Sequence, residues 1–322
     1  MKDDGKLIQF GNFNVTFFED NEDKPMLSHF EDIIYPAFNS KIERKMKSGI
    51  YSLIDVSLQE IDGDIVLAGC LIKNTKYEVY TTMENGSLEF DRHNVLTCPF
   101  SKFVIFLRNH RMVLVKNEKN SPDLRSFNSS IGYIINEFIR NENKRRKNNK
   151  VSSTTENLKP LFLPSATVNI VGLPKDSQSI IEKLDELKKV KRVVLRFFPL
   201  NNDIDTTEFT KAIRQMAFNT DTKNSSFILN SPKKNIGVAN LLTQTEGTVA
   251  ANVEGITEDG EKVNIKSNDI AMSTYLPCKD NLMDYSIAKI VSFVRKAKVK
   301  LVTSNENNSI YESFLERIKK LL

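Results

Sequence analysis

Over roughly the first 140 residues, apolar and polar positions alternate in short runs, the period of two that a half-buried strand requires. The pattern predicts strands near 7–19, 50–60, 64–73, 76–82, 102–107 and 111–116. Asp62-Gly63 and Asn85-Gly86 fall between such runs, and both dipeptides accept the positive φ of tight hairpin turns. Two stretches change to helical spacing. One runs from about Leu27 to Lys47. The other runs from about Asp123 to Arg140, with Phe127, Ile131, Ile134, Ile135 and Phe138 along one side. The expected first unit is α+β: mainly an antiparallel β meander with flanking helices.

From Asn141 to about Ser165 the periodicity stops, and Asn141-Glu142-Asn143-Lys144-Arg145-Arg146-Lys147-Asn148-Asn149-Lys150 passes into Ser, Thr and Asn. This reads as a basic polar linker, 143–164, between an N-terminal α+β domain, 1–142, and a C-terminal αβ domain, 165–322. Beyond it strand and helix alternate: Thr167 to Gly172, Gln178 to Lys189, Arg192 to Phe198, Thr206 to Phe218 and Ser226 to Leu229. A hairpin at Asp259-Gly260 joins Thr248–Ile256 to Glu261–Lys266, and a helix follows from about Asn281 to Lys298. A split αβ sandwich with C-terminal helices is expected. The last helix carries Ile310, Phe314, Ile318 and Leu321 on one face, a stripe that must bury in this chain or in a partner's.

A chain of 322 residues exceeds one ordinary core and suits two, and 40% hydrophobic with 27% charged residues places it in the folding class. The net charge of +5, from 46 basic and 41 acidic residues, decides little until the charges are placed. Cys70, Cys98 and Cys278 are far apart and sit beside apolar or strand-like residues, as small buried hydrophobes in a reducing, cytoplasmic compartment would. Met1-Lys2-Asp3-Asp4-Gly5-Lys6 lacks the positive start and apolar core of an export signal. The apolar run Phe103–Leu107 falls far short of the ~20 residues that span a bilayer.

No catalytic motif emerges. His29, His93 and His110 have no second ligand-type residue at zinc-site spacing, and no strand-to-helix elbow surrounds a Ser or Cys. Gly172 and Gly237 stand alone, so the phosphate-cradling glycine loops are absent. No catalytic residue, metal ligand or cofactor is therefore assigned. Paired carboxylates of the kind that hold Mg²⁺ occur at Asp62/Asp64, at Asp203/Asp205 and at Glu258, Asp259 and Glu261 beside Lys262. Each also suits a turn, and Asp205 before Thr206 suits a helix N-cap.

Basic residues cluster in four places: Arg108 with His110 and Arg111, Lys144 to Lys147, Lys188-Lys189 with Lys191-Arg192, and Arg295-Lys296 with Lys298 and Lys300. Lys188 to Arg192 ends an expected helix, where cations complement the dipole, and the same holds for Arg295 to Lys300. The linker cluster lies outside the periodic part, and such tracts contact polyanions. Ser231-Pro232-Lys233-Lys234-Asn235 precedes a helical stretch through Leu242, which suits either a plain turn or a site where backbone N–H groups and two lysines face one phosphate. The expected nucleic-acid contacts are Arg108, Arg111, Lys144, Arg145, Arg146, Lys147, Lys233 and Lys234. No helix-turn-helix, zinc finger or base-stacking aromatic set accompanies them, and Trp is absent, so contacts go mostly to the phosphate backbone.

The segment Pro99-Phe100-Ser101-Lys102-Phe103-Val104-Ile105-Phe106-Leu107, the turn Arg108 to Arg111, Met112-Val113-Leu114-Val115-Lys116 and Ser121-Pro122-Asp123-Leu124 resemble the Rex A phage-exclusion proteins. Phe227-Ile228-Leu229-Asn230-Ser231-Pro232, ahead of the acidic hairpin, matches a later segment of that family. The KwaB component of Kiwa defence systems is similar in the same places. The resemblance implies a homodimeric, non-enzymatic DNA-binding protein that senses phage replication intermediates with a membrane-protein partner. Dimerisation is then expected through the C-terminal helices. Two other readings stay open: a metal-dependent nuclease built on the acidic hairpin turns, and a protein–protein adaptor that docks through its last helix.

Overall fold

The computed structural model of the chain describes residues 5–79, 82–84, 87–89, 93–148, 162–201, 207–220, 222, 224–278, 281–297 and 305–322. Its organising element is β1 (Lys6–Glu19). Strand alternation puts Phe13, Val15 and Phe17 on one face of β1 and Ile8 and Phe10 on the other, and the two sets are buried in separate cores. A strand covered on both faces has to lie inside a layered structure.

Asp20 and Asn21, both at positive φ, turn β1 back into β2 (Glu22–Pro25). A 3-10 turn, Met26–His29, and a π turn, Phe30–Ile34, then lead into α1 (Tyr35–Phe38). The helix expected as far as Lys47 therefore ends at Phe38. The Asn39 amide donates to the Tyr35 carbonyl at 3.0 Å and the Ser40 hydroxyl to the Ala37 carbonyl at 2.6 Å, so side chains take the place of a further turn. Arg44–Met46, inside the expected helix, forms β3 and pairs with the start of β4 (Gly49–Ile61).

Asp62 (φ 49°) and Gly63 (φ 83°) make the tight turn into β5 (Asp64–Val79). Strands expected separately at 64–73 and 76–82 are thus one strand as far as Val79. Thr82–Glu84 (β6) pairs with Ser87–Glu89 (β7); the Asn85-Gly86 turn lies outside the described residues. His93–Thr97 (β8), Phe100–Phe106 (β9) and Arg111–Lys116 (β10) follow. Asp123 opens α2 (Leu124–Asn148) by accepting the Ser126 N–H at 2.8 Å.

The helix α2 outruns its expected end at Arg140, and with it the linker loses its basic cluster. Glu142 accepts Arg145 at 2.7 Å and Arg146 at 3.0 Å, and Asn143 exchanges two hydrogen bonds with the Leu163 backbone at 2.7 and 2.9 Å. These bonds extend the helix through residues with no apolar rhythm.

Ser165–Gly172 forms β11 and pairs with β1 from Gly11 to Phe18. The expected partition at 143–164 thus gives way to a sheet that continues on the far side of that segment, because β1 offers its edge to a strand from the second half of the chain. α3 (Ser177–Asp185), β12 (Lys189–Phe197), α4 (Glu208–Asn219), β13 (Ser225–Asn230), α5 (Asn235–Gln244), β14 (Ala250–Ile256) and β15 (Lys262–Lys266) follow. β16 (Ser273–Leu276) then returns to pair with β1 at Lys6–Gln9, ahead of α6 (Ile287–Lys296) and α7 (Asn305–Lys319).

The architecture is α+β, with two main sheets. The larger runs β11-β1-β10-β9-β5-β4-β3 and the smaller β13-β12-β14-β15, antiparallel throughout the described pairings. Helices α1, α2 and α7 feed the core on one face of the larger sheet, and α6 feeds the other. In α7, Tyr311 and Ile318 are fully buried and Phe314 and Leu321 pack beside them, so the C-terminal stripe is buried in cis. The stripe of the last helix thus packs largely within this chain. Among the described residues, no helix is long and apolar enough to cross a membrane.

Candidate functional site

The smaller sheet is one-sided. Val193, Leu195 and Phe197 of β12 join Phe227 and Leu229 of β13, Ala251 and Val253 of β14 and Val263 and Ile265 of β15 in a core closed by helices α3, α4 and α5. The alternate residues point the other way, and none of them belongs to that core. A β-bulge between Val190 and Arg192 shifts the period, so Lys189, opposite Ile256, and Arg192, opposite Glu254, come to the same open face.

The pairing registers assemble that face. Asn230, Arg192, Glu254 and Asn264 form one cross-strand row, and Ile228, Val194, Asn252 and Lys266 the next. Ser226, Arg196 and Ala250 form a third row at one end, and Lys189, Ile256 and Lys262 a fourth at the other. Lys189, Arg196, Lys262 and Lys266 are exposed and Arg192 half-buried, whereas Glu254 is the one carboxylate among these described positions. The cations form two lines, on β12 and on β15, separated by β14 and so about 10 Å apart. β14 fills the space between with Ala250, Asn252, Glu254 and Ile256, so the carboxylate lies between the two lines. Such a surface attracts an extended polyanion and offers little to a compact apolar ligand.

The residues expected to contact phosphate fall elsewhere. Arg108 is held within the chain: its guanidinium lies 3.5 Å from Asp64 and 3.3 Å from Glu312, donates to Asn308 at 3.2 Å and sits 4.5 Å over the Tyr311 ring. Arg111 donates to the Asn12 side chain and to the Glu246 carbonyl. Both therefore tie elements of the fold together. In the α2 cluster, Arg145 and Arg146 are engaged by Glu142; their hydrogen bonds and charge hold its carboxyl down at about 2. Lys144 and Lys147 are exposed on the same turns. Lys233 and Lys234 are exposed just before α5, close in sequence to Asn230 at the end of β13. The structure thus gives Arg108 and Arg111 bracing roles and leaves the four lysines facing solvent.

Lys188 and Lys189 do not close a helix as expected, because α3 stops at Asp185 and Lys189 opens β12. One signal for the sheet face was present in the chain: Lys262-Val263-Asn264-Ile265-Lys266 alternates polar and apolar residues and so places Lys, Asn and Lys on one side.

The acidic turn at Asp62–Asp64 is engaged by cations. Arg295 donates to Asp62 at 2.9 Å and to Asp64 at 2.6 Å, and Asp64 also faces Arg108. Glu258 lies 3.8 Å from Lys188. Asp203 and Asp205 lie outside the described residues, as do Lys298 and Lys300. Among the described residues, no group of three His, Cys, Asp or Glu side chains is placed to hold a metal ion. Comparison with family models, with curated proteins and with solved structures finds no match to the chain.

Proposed function

We propose that this protein binds nucleic acid, DNA in the first instance, along the open face of its smaller sheet, through the phosphate backbone and without base-specific reading. One observation carries the reading: five cations, the exposed Lys189, Arg196, Lys262 and Lys266 and the half-buried Arg192, share one sheet face with a single carboxylate. Polyanion affinity comes from cations placed along phosphates, and each neutralised phosphate adds a salt-dependent increment. The amides Asn252, between the two lines, Asn264, between Lys262 and Lys266, and Asn230, beside Arg192, add neutral donors. Lys233 and Lys234 lie close in sequence to one end of this face, and Lys144 and Lys147 supply a further exposed basic turn. The role in phage exclusion and a membrane-protein partner come with the resemblance at residues 99–124 and 227–232, and a reducing, cytoplasmic setting with the cysteines.

The test is fluorescence anisotropy of labelled duplex DNA against salt. The wild-type chain should lose affinity steeply between 50 and 200 mM salt, as expected for several phosphate contacts. Charge reversal at Arg196, Lys262 and Lys266 together should weaken binding at least tenfold and lower the log–log salt slope by roughly 2 to 3. Unchanged affinity in that variant would remove the sheet face from the proposal, and no retention at low salt would end it. Product length read in the presence of Mg²⁺ separates binding from cleavage.

A further inference from the structure

Strand β4 is covered along only part of its outer edge. β3 pairs with it at residues 49–51 and the sheet ends there, so from Ser52 onward no described strand lies on that side. The Lys73 N–H donates to the Pro99 carbonyl and the Leu107 N–H to the Ile65 carbonyl. Odd-numbered residues of β5 therefore turn their backbone groups toward β9, and even-numbered ones toward β4. Ser52, Ile54, Ser57 and Gln59, opposite Ile72, Cys70, Ala68 and Val66, are the residues bonded to β5. Leu53, Leu58 and Glu60 direct their N–H and C=O groups outward, a template for one more strand.

A cavity of about 340 Å³ lies against this edge, between residues 52–56 and residues 38–41 with Glu43. A cavity on a sheet face takes every second residue of a strand. Five consecutive ones place this cavity beside β4, where the next strand would run. The chain leaves that place open, because α1 ends at Phe38 and the following segment meets β4 only at Arg44, opposite Tyr51. The β3–β4 pairing thus closes one end of the groove, and the other end opens toward Leu58 and Glu60.

The charges define what fits. Glu43 and Asp55 are exposed on opposite walls and Glu60 follows along the edge; among the described residues none of the three has a cation partner. Lys41 is the one cation of the lining, and Phe38, Leu53 and Val56 supply an apolar side. Asp55, at φ 52°, lies in the β-bulge between Ile54 and Ser57. Bulges and like charges keep an edge from pairing with a strand of its own kind, and carboxylates there favour a strand that carries a cation.

We infer that β4 accepts an extended segment of a partner protein as an added strand along residues 53–60, with a Lys or Arg side chain of that segment in the cavity between Glu43 and Asp55. The inference is independent of the nucleic-acid reading, since no residue of the groove belongs to the smaller sheet.

Fluorescence anisotropy of short labelled peptides, capped at both ends and titrated with the full chain, tests it. A peptide of alternating threonine and valine with a central arginine should bind in the micromolar range. Replacing its arginine by glutamate, or methylating every backbone nitrogen so that it can donate no strand hydrogen bonds, should each weaken binding at least tenfold. The variant Glu43→Gln/Asp55→Asn should erase the preference for arginine; asparagine tolerates the positive φ of position 55, and unchanged circular dichroism confirms the fold. No binding of the arginine peptide, equal binding of the methylated one, or a preference that survives in the variant would each overturn the assignment. So would self-association of the wild type that the same variant alters, which would give the groove to a second copy of the chain.

Discussion

His29 shows how far one side chain's surroundings can be turned into a measurement. Its ring lies edge-on to Phe17, with Nδ1 3.2 Å from Asp32 and Nε2 3.2 Å from Glu19. Burial works against the imidazolium, but hydrogen bonds and charge from Asp32 and then Glu19 outweigh it, and the pKa is raised above 6.5. A group with a raised folded-state value contributes stability that is fully present below its unfolded pKa of about 6.5 and is lost as pH rises through the folded value. The melting temperature should therefore decline as pH rises above about 6.5, and His29→Gln should flatten that decline. Equal slopes in the two proteins would assign it to other groups. The cysteines differ in the same local way. Cys70 is buried and its thiol is pushed up to about 11, mainly by desolvation, whereas Cys98 is exposed beside Pro99 at the junction of β8 and β9. The expectation of three buried thiols thus holds for Cys70 and Cys278 and fails for Cys98, because it adjoins β8, whose Asn94, Val95 and Leu96 are exposed.

At the scale of the element, α7 separates a docking stripe from a structural one. Its apolar face is a clear amphipathic signal in the sequence, but amphipathicity states only that a face must be covered. Here Tyr311 and Ile318 enter the core beneath β1, Arg317 reaches Glu31 at 3.1 Å, and Arg108 ties the helix to the β9–β10 turn. Burial of two large side chains is worth on the order of 4 kcal/mol. Removing residues 305–322 should therefore lower the unfolding free energy by several kcal/mol in urea titration, besides any loss of activity. A truncated chain as stable as the full one would instead mark α7 as a detachable docking segment. The extension of α2 follows a similar logic. Charged i, i+3 and i, i+4 pairs and the Asn143–Leu163 clasp continue the helix where hydrophobic periodicity has ended.

Across the whole molecule, the smaller sheet is joined to the larger one by a buried polar seam. Asn12, Asn14 and Thr16 alternate along the Ile8–Phe10 face of β1, where more apolar side chains would be expected, and all three are buried. The Asn12 amide donates to the Glu246 carbonyl at 2.9 Å and the Asn14 amide to the Pro199 carbonyl at 2.8 Å. In return the Asn201 N–H donates to Asn14, and Asn201 accepts the Met26 N–H at 3.1 Å. Asn14→Ala leaves the Asn201 N–H and the Pro199 carbonyl buried without their partner, a cost of about 2 kcal/mol. Urea unfolding of the variant should show that loss; a change below about 0.5 kcal/mol would mean that water replaces the amide.

Local elements were legible wherever one periodicity dominated. The strands near 7–19, 50–60, 102–107 and 111–116, the hairpins at Asp62-Gly63 and Asp259-Gly260 and the start of α2 all follow from alternation, positive-φ turn residues and a capping aspartate. So does the α+β class. These are determined by the sequence itself, because each depends on residues within a few positions of one another. What only the tertiary structure decided depends on partners far along the chain: that β11 and β16 return to β1, that α7 is covered in cis, and that Arg108 and Arg111 are braces. The basic sheet face belongs with these. Its cations come from two strands that are not sequence neighbours, and a bulge brings Lys189 and Arg192 onto one side. Periodicity reports which side of its own element a residue faces; register and sheet order decide what it faces there.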